Sequence, residues 1–330
     1  MPGESEIISW IRRRARANDQ VLIGIGDDAA VINTGGTADL IACSDLMVEG
    51  VHFRSEWGEP GLIGRKALAV TLSDVAAMGG TARFAMVSIA IPARLPNEFI
   101  EQVFQGIFDL ADSCGVSIIG GDTSSSRDSL FIDTIVIGEC ATGRAITRGG
   151  AKVGDRIYVT GTLGASALGL LLLEQGVRLA DCAGDVTRRR ALMKHLAPEP
   201  QLKTGRAIGE MNLATAMIDV SDGLSTDLWH ILDESRCGAI IHAGSIPIDE
   251  SVLATKALET DPLSLALNGG EDYELLFTAR PENRNRIRDL SVALGLRITE
   301  IGEAVAAKGL ELERDVARES LPPSGYEHTI

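Results

Sequence analysis

Five short stretches of the chain set carboxylates beside glycine or serine: Gly26-Asp27-Asp28, Ser44-Asp45, Ser73-Asp74, Gly120-Gly121-Asp122 and Asp219-Val220-Ser221-Asp222-Gly223. A sixth, Asn268-Gly269-Gly270-Glu271-Asp272, is similar but precedes its strand. Singly, each has the residues that turns and helix caps use. Together they suggest acids delivered into turns at the ends of strands, where α/β sheets bind ligands. Converging carboxylates repel unless cations lie between them. Hard oxygen ligands without thiolate or imidazole partners point to Mg²⁺ or Mn²⁺ and away from zinc. Such ions bridge carboxylates to polyphosphates, so the implied chemistry is phosphoryl transfer. Asp74 is the most informative of these acids. Ile63, Ala67, Val70, Val75 and Met78 follow the spacing of an amphipathic helix, and Asp74 falls on their apolar stripe.

Donors suited to a polyphosphate accompany the acids. Gly120-Gly121, Thr123 and Ser124–Ser126 offer amides and hydroxyls, and Arg148, in the stretch ITRGG, suits a bidentate phosphate contact. His52 and Tyr326 are candidate substrate contacts, Tyr326 by stacking on a flat heterocycle. Other phosphate motifs fail. No GxxxxGK[ST] occurs. Gly24–Ala29 fits GxGxxA, but Ala29–Thr34 is too short and strand-like for the required helix, and Asp27-Asp28 would repel a bare pyrophosphate. No GxSxG supports a serine triad.

The elements that must position these groups alternate between strand and helix. A helix is predicted over Glu4–Ala17, strands over Val21–Ile25, Ala29–Ile32 and Asp39–Ser44, then the central helix ending at Gly79-Gly80. A strand at Arg83–Ile91, a helix at Asn97–Ser113, and strands at Val116–Ile119 and Leu130–Glu139 flanking a polar loop complete the first half. The Gly-rich, charged stretch 145–154 marks a change of texture, so domains are predicted at 1–143 and 144–330. The second half alternates again: strands at Arg156–Thr160, Ala214–Val220, Ala239–His242, Tyr273–Ala279 and Arg297–Ala304, with helices from Ala165, at Ser225–Ser235 and at Glu282–Leu294. Sheets backed by helices on one side are expected.

Lys and Arg number 31 against 46 Asp and Glu, a net charge of −15 that argues against general affinity for nucleic acid or anionic membranes. Five scattered cysteines, with no CxxC, suit reduced thiols in the cytoplasm. No secretory signal is expected at MPGESEIISWIRRRARAND, and Leu168–Leu173 is too short to span a bilayer.

Nine segments, GIGDDAAV, SDLMVEGVHF, KALAVTLSDVAAMGG, IGGDTSSS, GRAITRGGAKVGD, YVTGTLG, IDVSDGLSTDL, NGGEDYELLF and GYEH, run in this order from residue 24 to residue 328. They resemble the signature series of the thiamine-monophosphate kinase family, in the aminoimidazole-ribonucleotide-synthetase-like superfamily of ATP-dependent enzymes. The resemblance implies an α/β (α+β), two-domain PurM-like fold. Its N-terminal sheets pair into a barrel shared by a homodimer, with C-terminal α/β domains outside. It implies transfer of the ATP γ-phosphoryl to thiamine monophosphate, giving thiamine diphosphate and ADP, the last step of thiamine diphosphate biosynthesis. Residue by residue, it implies several Mg²⁺ ions held by Asp27, Asp28, Ser44, Asp45, Asp74, Asp122, Asp219 and Asp222. ATP would meet Gly121, Asp122, Arg148 and Ser221; the thiamine moiety would meet His52, Glu271 and Tyr326; Asp74, Asp122 and Arg148 would be catalytic. Ser44 stands where the family commonly has Thr, and Gln105 where many members have Tyr. A phosphate acceptor is already ionised at neutral pH and needs no strong base, which suits a site rich in acids and poor in histidine.

Overall fold

The computed structural model describes residues 4–255, 260–315 and 317–326. Helix α1 (Glu4–Arg14) has acids in its first turn and arginines in its last, as the helix dipole favours. A six-stranded sheet follows, formed by β1 (Val21–Ile23), β2 (Ala30–Asn33), β3 (Ala38–Val48), β4 (Thr81–Pro92), β5 (Ser117–Ser126) and β6 (Phe131–Ala141). Its order is β1-β2-β3-β6-β4-β5, antiparallel except for β4–β5. Helices α2 (Pro60–Ala77) and α3 (Asn97–Cys114) pack together on one face. On the other face Leu40, Leu46 and Phe84, on one side of the sheet by register, are exposed among the described residues.

The second half forms a seven-stranded sheet from β7 (Arg156–Thr160), β8 (Ala216–Asp219), β9 (Gly238–His242), β10 (Leu275–Ala279), β11 (Ile298–Val305), β12 (Gly309–Arg314) and β13 (Ala317–Ser320). Its order is β13-β12-β9-β11-β7-β10-β8, and only β9–β12 is parallel. The helices here are α4 (Ala165–Glu174), α5 (Val186–Leu196), α6 (Leu202–Glu210), α7 (Leu224–Ser235), α8 (Glu250–Ala254), α9 (Pro262–Asn268) and α10 (Arg284–Leu294). Both sheets are mixed, which makes the architecture α+β. No helix among the described residues is long and apolar enough to cross a membrane.

The central helix departs from its predicted amphipathic character. All but a few residues of α2 from Ile63 to Ala77 are buried, because α3, the first sheet, α6 and β8 enclose it. Such enclosure demands small residues at the crossings. A Cβ on Gly64 would lie 1.8 Å from the Val103 carbonyl oxygen, one on Gly106 1.8 Å from that of Gly61, and one on Gly205 2.1 Å from that of Ala76. The helix then stops at Gly79, whose φ of 69° suits glycine. Ala76 and Ala77 join Ile146, Ile208, Met217 and Phe277 in one apolar cluster, so α2 fixes the two halves to each other.

A second departure concerns residues 120–126. The predicted polar loop is part of β5, an edge strand running parallel to β4 from Phe84↔Ser117 to Pro92↔Ser126. Its Gly-Ser-rich composition has poor strand propensity, and pairing with β4 overrides it.

Candidate active site

Asp28, just before β2, Asp74 of α2 and Asp219 at the end of β8 each offer a carboxylate oxygen, all within 4.8 Å of one another. Asp28 and Asp219 are buried. Ser73 Oγ donates to Asp219 Oδ2 at 2.6 Å. Asp45 turns from β3 toward α2, where it contacts Thr71 and Asp74. One oxygen each of Asp28 and Asp45 is buried without a hydrogen-bond partner.

Burial, then repulsion from Asp45, Asp219 and Asp28, raises the Asp74 carboxyl well above the ordinary range. Burial, then Asp28, pushes Asp219 to about 8. Asp27 rises to about 6 by burial and the neighbouring Asp28. Orphaned oxygens and mutually raised carboxyls within one cluster fit a hard divalent cation, which would pair the oxygens and relieve the repulsion. Arg148 supplies part of that compensation here. Its Nε and Nη2 donate to Asp28 Oδ1 at 3.1 and 2.5 Å, and its backbone N–H lies 3.3 Å from both Asp27 oxygens. Burial, the largest influence, would lower the guanidinium's pKa, but Asp28, Asp27 and Asp219 together outweigh it and the net shift is upward.

Asp222, Asp227 and His230 form a second group with ligand atoms within 4.8 Å. Asp227 accepts from the N–H groups of Asp222 and Gly223 at the start of α7.

A cleft of about 650 Å³ is lined by Asp45, His52, Ser221, Asp222, Glu271 and Tyr326, among others. The Glu271 strap is held to β8's extension by Glu271 N–H to the Ser221 carbonyl at 2.7 Å and Tyr273 N–H to that of Val220 at 2.9 Å. Lys66 Nζ lies 2.9 and 3.0 Å from the two Glu271 oxygens and donates to the His52 carbonyl at 3.2 Å. The C-terminal segment is tied down by Tyr326 N–H to the Asp222 carbonyl and Gly325 N–H to Thr226 Oγ1.

Residues 26–140 match the family of the AIR synthase related protein, N-terminal domain, and residues 152–315 its C-terminal domain. The chain is 38% identical over 328 residues to the thiamine-monophosphate kinase of Escherichia coli O157:H7, covering 99% of this chain and 98% of that protein. The chain belongs to the thiamine-monophosphate kinase family. The thiamine-monophosphate kinase of Bacillus subtilis (strain 168) is 37% identical over 328 residues, covering 98% of this chain and 99% of that protein. A solved structure of AaThiL complexed with AMPPCP and TMP superposes with a TM-score of 0.86 at 29% identity, over 99% of this chain and 97% of that one.

As a thiamine-monophosphate kinase family member, the chain divides the sequence-predicted residues into three groups. Asp27, Asp28, Asp45, Asp74, Asp219 and Arg148 come together, and His52, Ser221, Asp222, Glu271 and Tyr326 share the cleft. Ser44, Gly121 and Asp122 stand apart from both. Strand alternation turns the exposed Ser44 to the face of β3 opposite Asp45, on the Leu46 side. Asp122 is exposed on β5, opposite Ser88, with Oδ1 accepting from the Thr123 N–H. Ser44-Asp45 and Gly120-Gly121-Asp122 are therefore mid-strand and not turns. Glu327 and His328 of the GYEH segment lie outside the described residues. Sequence reasoning missed Lys66, His195 and Asp227. Asp227 could have been found as the last acid of IDVSDGLSTDL, but Lys66 sits unmarked in a helical run.

Proposed function

We propose that this protein transfers the γ-phosphoryl of ATP to the phosphate of thiamine monophosphate, forming thiamine diphosphate and ADP. The observation that carries this reading is the joining of two sites in one cleft. Asp45 and Asp222 belong to the acidic groups, while Glu271, His52 and Tyr326 offer a carboxylate, an imidazole and a flat ring suited to a cationic heterocycle. The full-length likeness to thiamine-monophosphate kinases, and to AaThiL with a nucleotide analogue and TMP, supports it.

Asp28, Asp74 and Asp219, with Asp27 and Asp45 beside them, would hold Mg²⁺, and Asp222 would extend the set. Bound Mg²⁺ would neutralise charge between donor and acceptor phosphates. The protein's own groups do the positioning. Arg148, paired with Asp28 here, would turn its guanidinium fork to the ATP phosphates, with Ser221 as a further nucleotide contact. Asp74 and Arg148 are the proposed catalytic residues; Gly121 and Asp122, which stand apart on β5, would serve the nucleotide only from a second copy. Glu271 would face the thiazolium, His52 and Tyr326 the rest of the thiamine moiety. The acceptor oxygen is already ionised, so no general base is assigned.

Ser44 and Asp122 lie on the open, partly apolar face bearing Leu40, Leu46 and Phe84. A second copy packing its own sheet there would cover that face, so we read the protein as a cytoplasmic homodimer with residues 1–143 forming its paired domain and 144–330 the outer one. The test is incubation with ATP, Mg²⁺ and thiamine monophosphate, with ADP and thiamine diphosphate quantified together. Equimolar formation of both is expected. No turnover with this acceptor, but turnover with another, would overturn the assignment.

A further inference from the structure

Lys66 is nearly fully buried, and it reaches from α2 of the first half to Glu271 of the second. The same ammonium holds the His52 carbonyl, so one cation joins two of the residues assigned above to the thiamine moiety. Burying an ion pair is costly, and an apolar pair of similar size is often as stable, so stability alone is weak grounds for Lys66. The backbone at Glu271 points the same way. Its φ is +63°, a region in which glycine would be relaxed and a side chain costs about 1 kcal/mol. Gly269 and Gly270 precede it, yet this position carries a carboxylate.

Helix geometry adds a second constraint. Lys66, Val70 and Asp74 are spaced four apart and share a face of α2. Asp74 joins the acidic cluster, and Lys66 sits roughly 12 Å back along the axis, at the Glu271 strap. One rigid helix thus registers the phosphoryl-transfer groups against the ring-binding groups.

We propose that Lys66 is a positioning residue for acceptor recognition, holding Glu271 ionised and aimed at the cationic ring of thiamine monophosphate; this rests on the function proposed above. The groups facing Glu271 are Lys66 from α2, His195 from α5, His52 from the segment after β3, the Tyr273 phenol from its own strap and Tyr326 from the C-terminal segment. Burial by itself would raise the Glu271 carboxyl; the Lys66 ammonium, by its charge and its hydrogen bond, is foremost in bringing it below its ordinary value. His195 is neutral, because burial and then Lys66 push it down to about 3. Its Nδ1, 3.0 Å from Glu271 Oε2 and 3.1 Å from Ser166 Oγ, therefore assists as a neutral donor and cannot replace the ammonium.

The test compares Lys66→Met, Glu271→Gln and the double variant with wild type by kcat/KM for thiamine monophosphate, at saturating Mg²⁺-ATP, across pH. Dividing variant by wild type cancels the ionisation of the substrate phosphate. For Lys66→Met the ratio should fall as pH is lowered, by about tenfold per pH unit below the raised Glu271 pKa. In the double variant, which has no carboxylate to protonate, the ratio should be flat, and KM for ATP should stay within about twofold throughout. A flat ratio for Lys66→Met, or an equal rise in KM for ATP, would overturn the proposal. If Lys66→Met alone does not fold, the double variant is compared with Glu271→Gln: an equal KM for thiamine monophosphate, with KM for ATP unaffected, is expected of a lysine that acts only through Glu271, and a further rise in either KM would overturn the proposal. A wild type inactive on thiamine monophosphate would instead refute the function itself.

Discussion

Ser73 Oγ donates a 2.6 Å hydrogen bond to Asp219 Oδ2. It joins α2 to the end of β8, so an acid of the second half is held beside Asp74, the residue that follows Ser73. The hydroxyl opposes the burial that raises Asp219. Ser73→Ala should therefore raise Asp219 further and increase the Mg²⁺ concentration for half-maximal activity about five- to tenfold, with a stability loss of about 1 kcal/mol. Mg²⁺ titrations of initial rate at fixed ATP and acceptor check this.

Asp74→Asn should separate stability from activity. It removes one charge from a cluster whose members repel, so the metal-free protein should melt at the same or a higher temperature. Activity should fall by about 10²-fold or more, because a ligand between the phosphates is lost. Thermal unfolding in chelator, measured beside kcat, checks both signs.

Much of this was legible in the sequence, for physical reasons. Asp74 broke an apolar stripe, and Asp28 and Asp219 stood at strand ends beside glycine or serine, positions where an acid needs an explanation. Three things were not legible. The burial of α2 on all sides depends on glycine contacts between helices distant in sequence, such as Gly64 with Val103 and Gly205 with Ala76. The strand through Gly120–Ser126 is imposed by β4. Lys66 and His195 gain meaning only when Glu271, from residues far along the chain, is brought between them.

Stability of the metal-free protein should fall as pH rises. Asp27 and Asp219 have folded-state values of about 6 and about 8, above the ordinary carboxylate value, so the folded state holds more protons than the unfolded one across that interval. Their contribution is complete below about pH 4 and is lost as pH climbs through about 6 and 8. Mg²⁺ binds the deprotonated carboxylates, so the rise in melting temperature it produces should be larger at about pH 8 than at about pH 6. Melting curves with and without Mg²⁺ at both pH values test the sign.

Arg148→Ala should both destabilise and inactivate. Asp28 is left buried without its cation, at a cost of about 3–5 kcal/mol, and the ATP phosphates lose a bidentate donor. Mg²⁺ should restore part of the melting temperature while KM for ATP stays raised, which kinetics and calorimetry on the same preparation would resolve.

Gly64→Ala tests the seating of α2. With a Cβ placed 1.8 Å from the Val103 carbonyl oxygen, α2 and α3 must move apart, so a loss of at least about 3 kcal/mol is expected in denaturant unfolding.

The most direct measurement is anomalous diffraction from crystals grown with Mn²⁺ and a non-hydrolysable ATP analogue. The expected result is Mn²⁺ within about 2.2 Å of oxygens from Asp28, Asp74 and Asp219, with analogue phosphate oxygens completing its coordination. Ordered analogue in the cleft with no Mn²⁺ at these three carboxylates would contradict it.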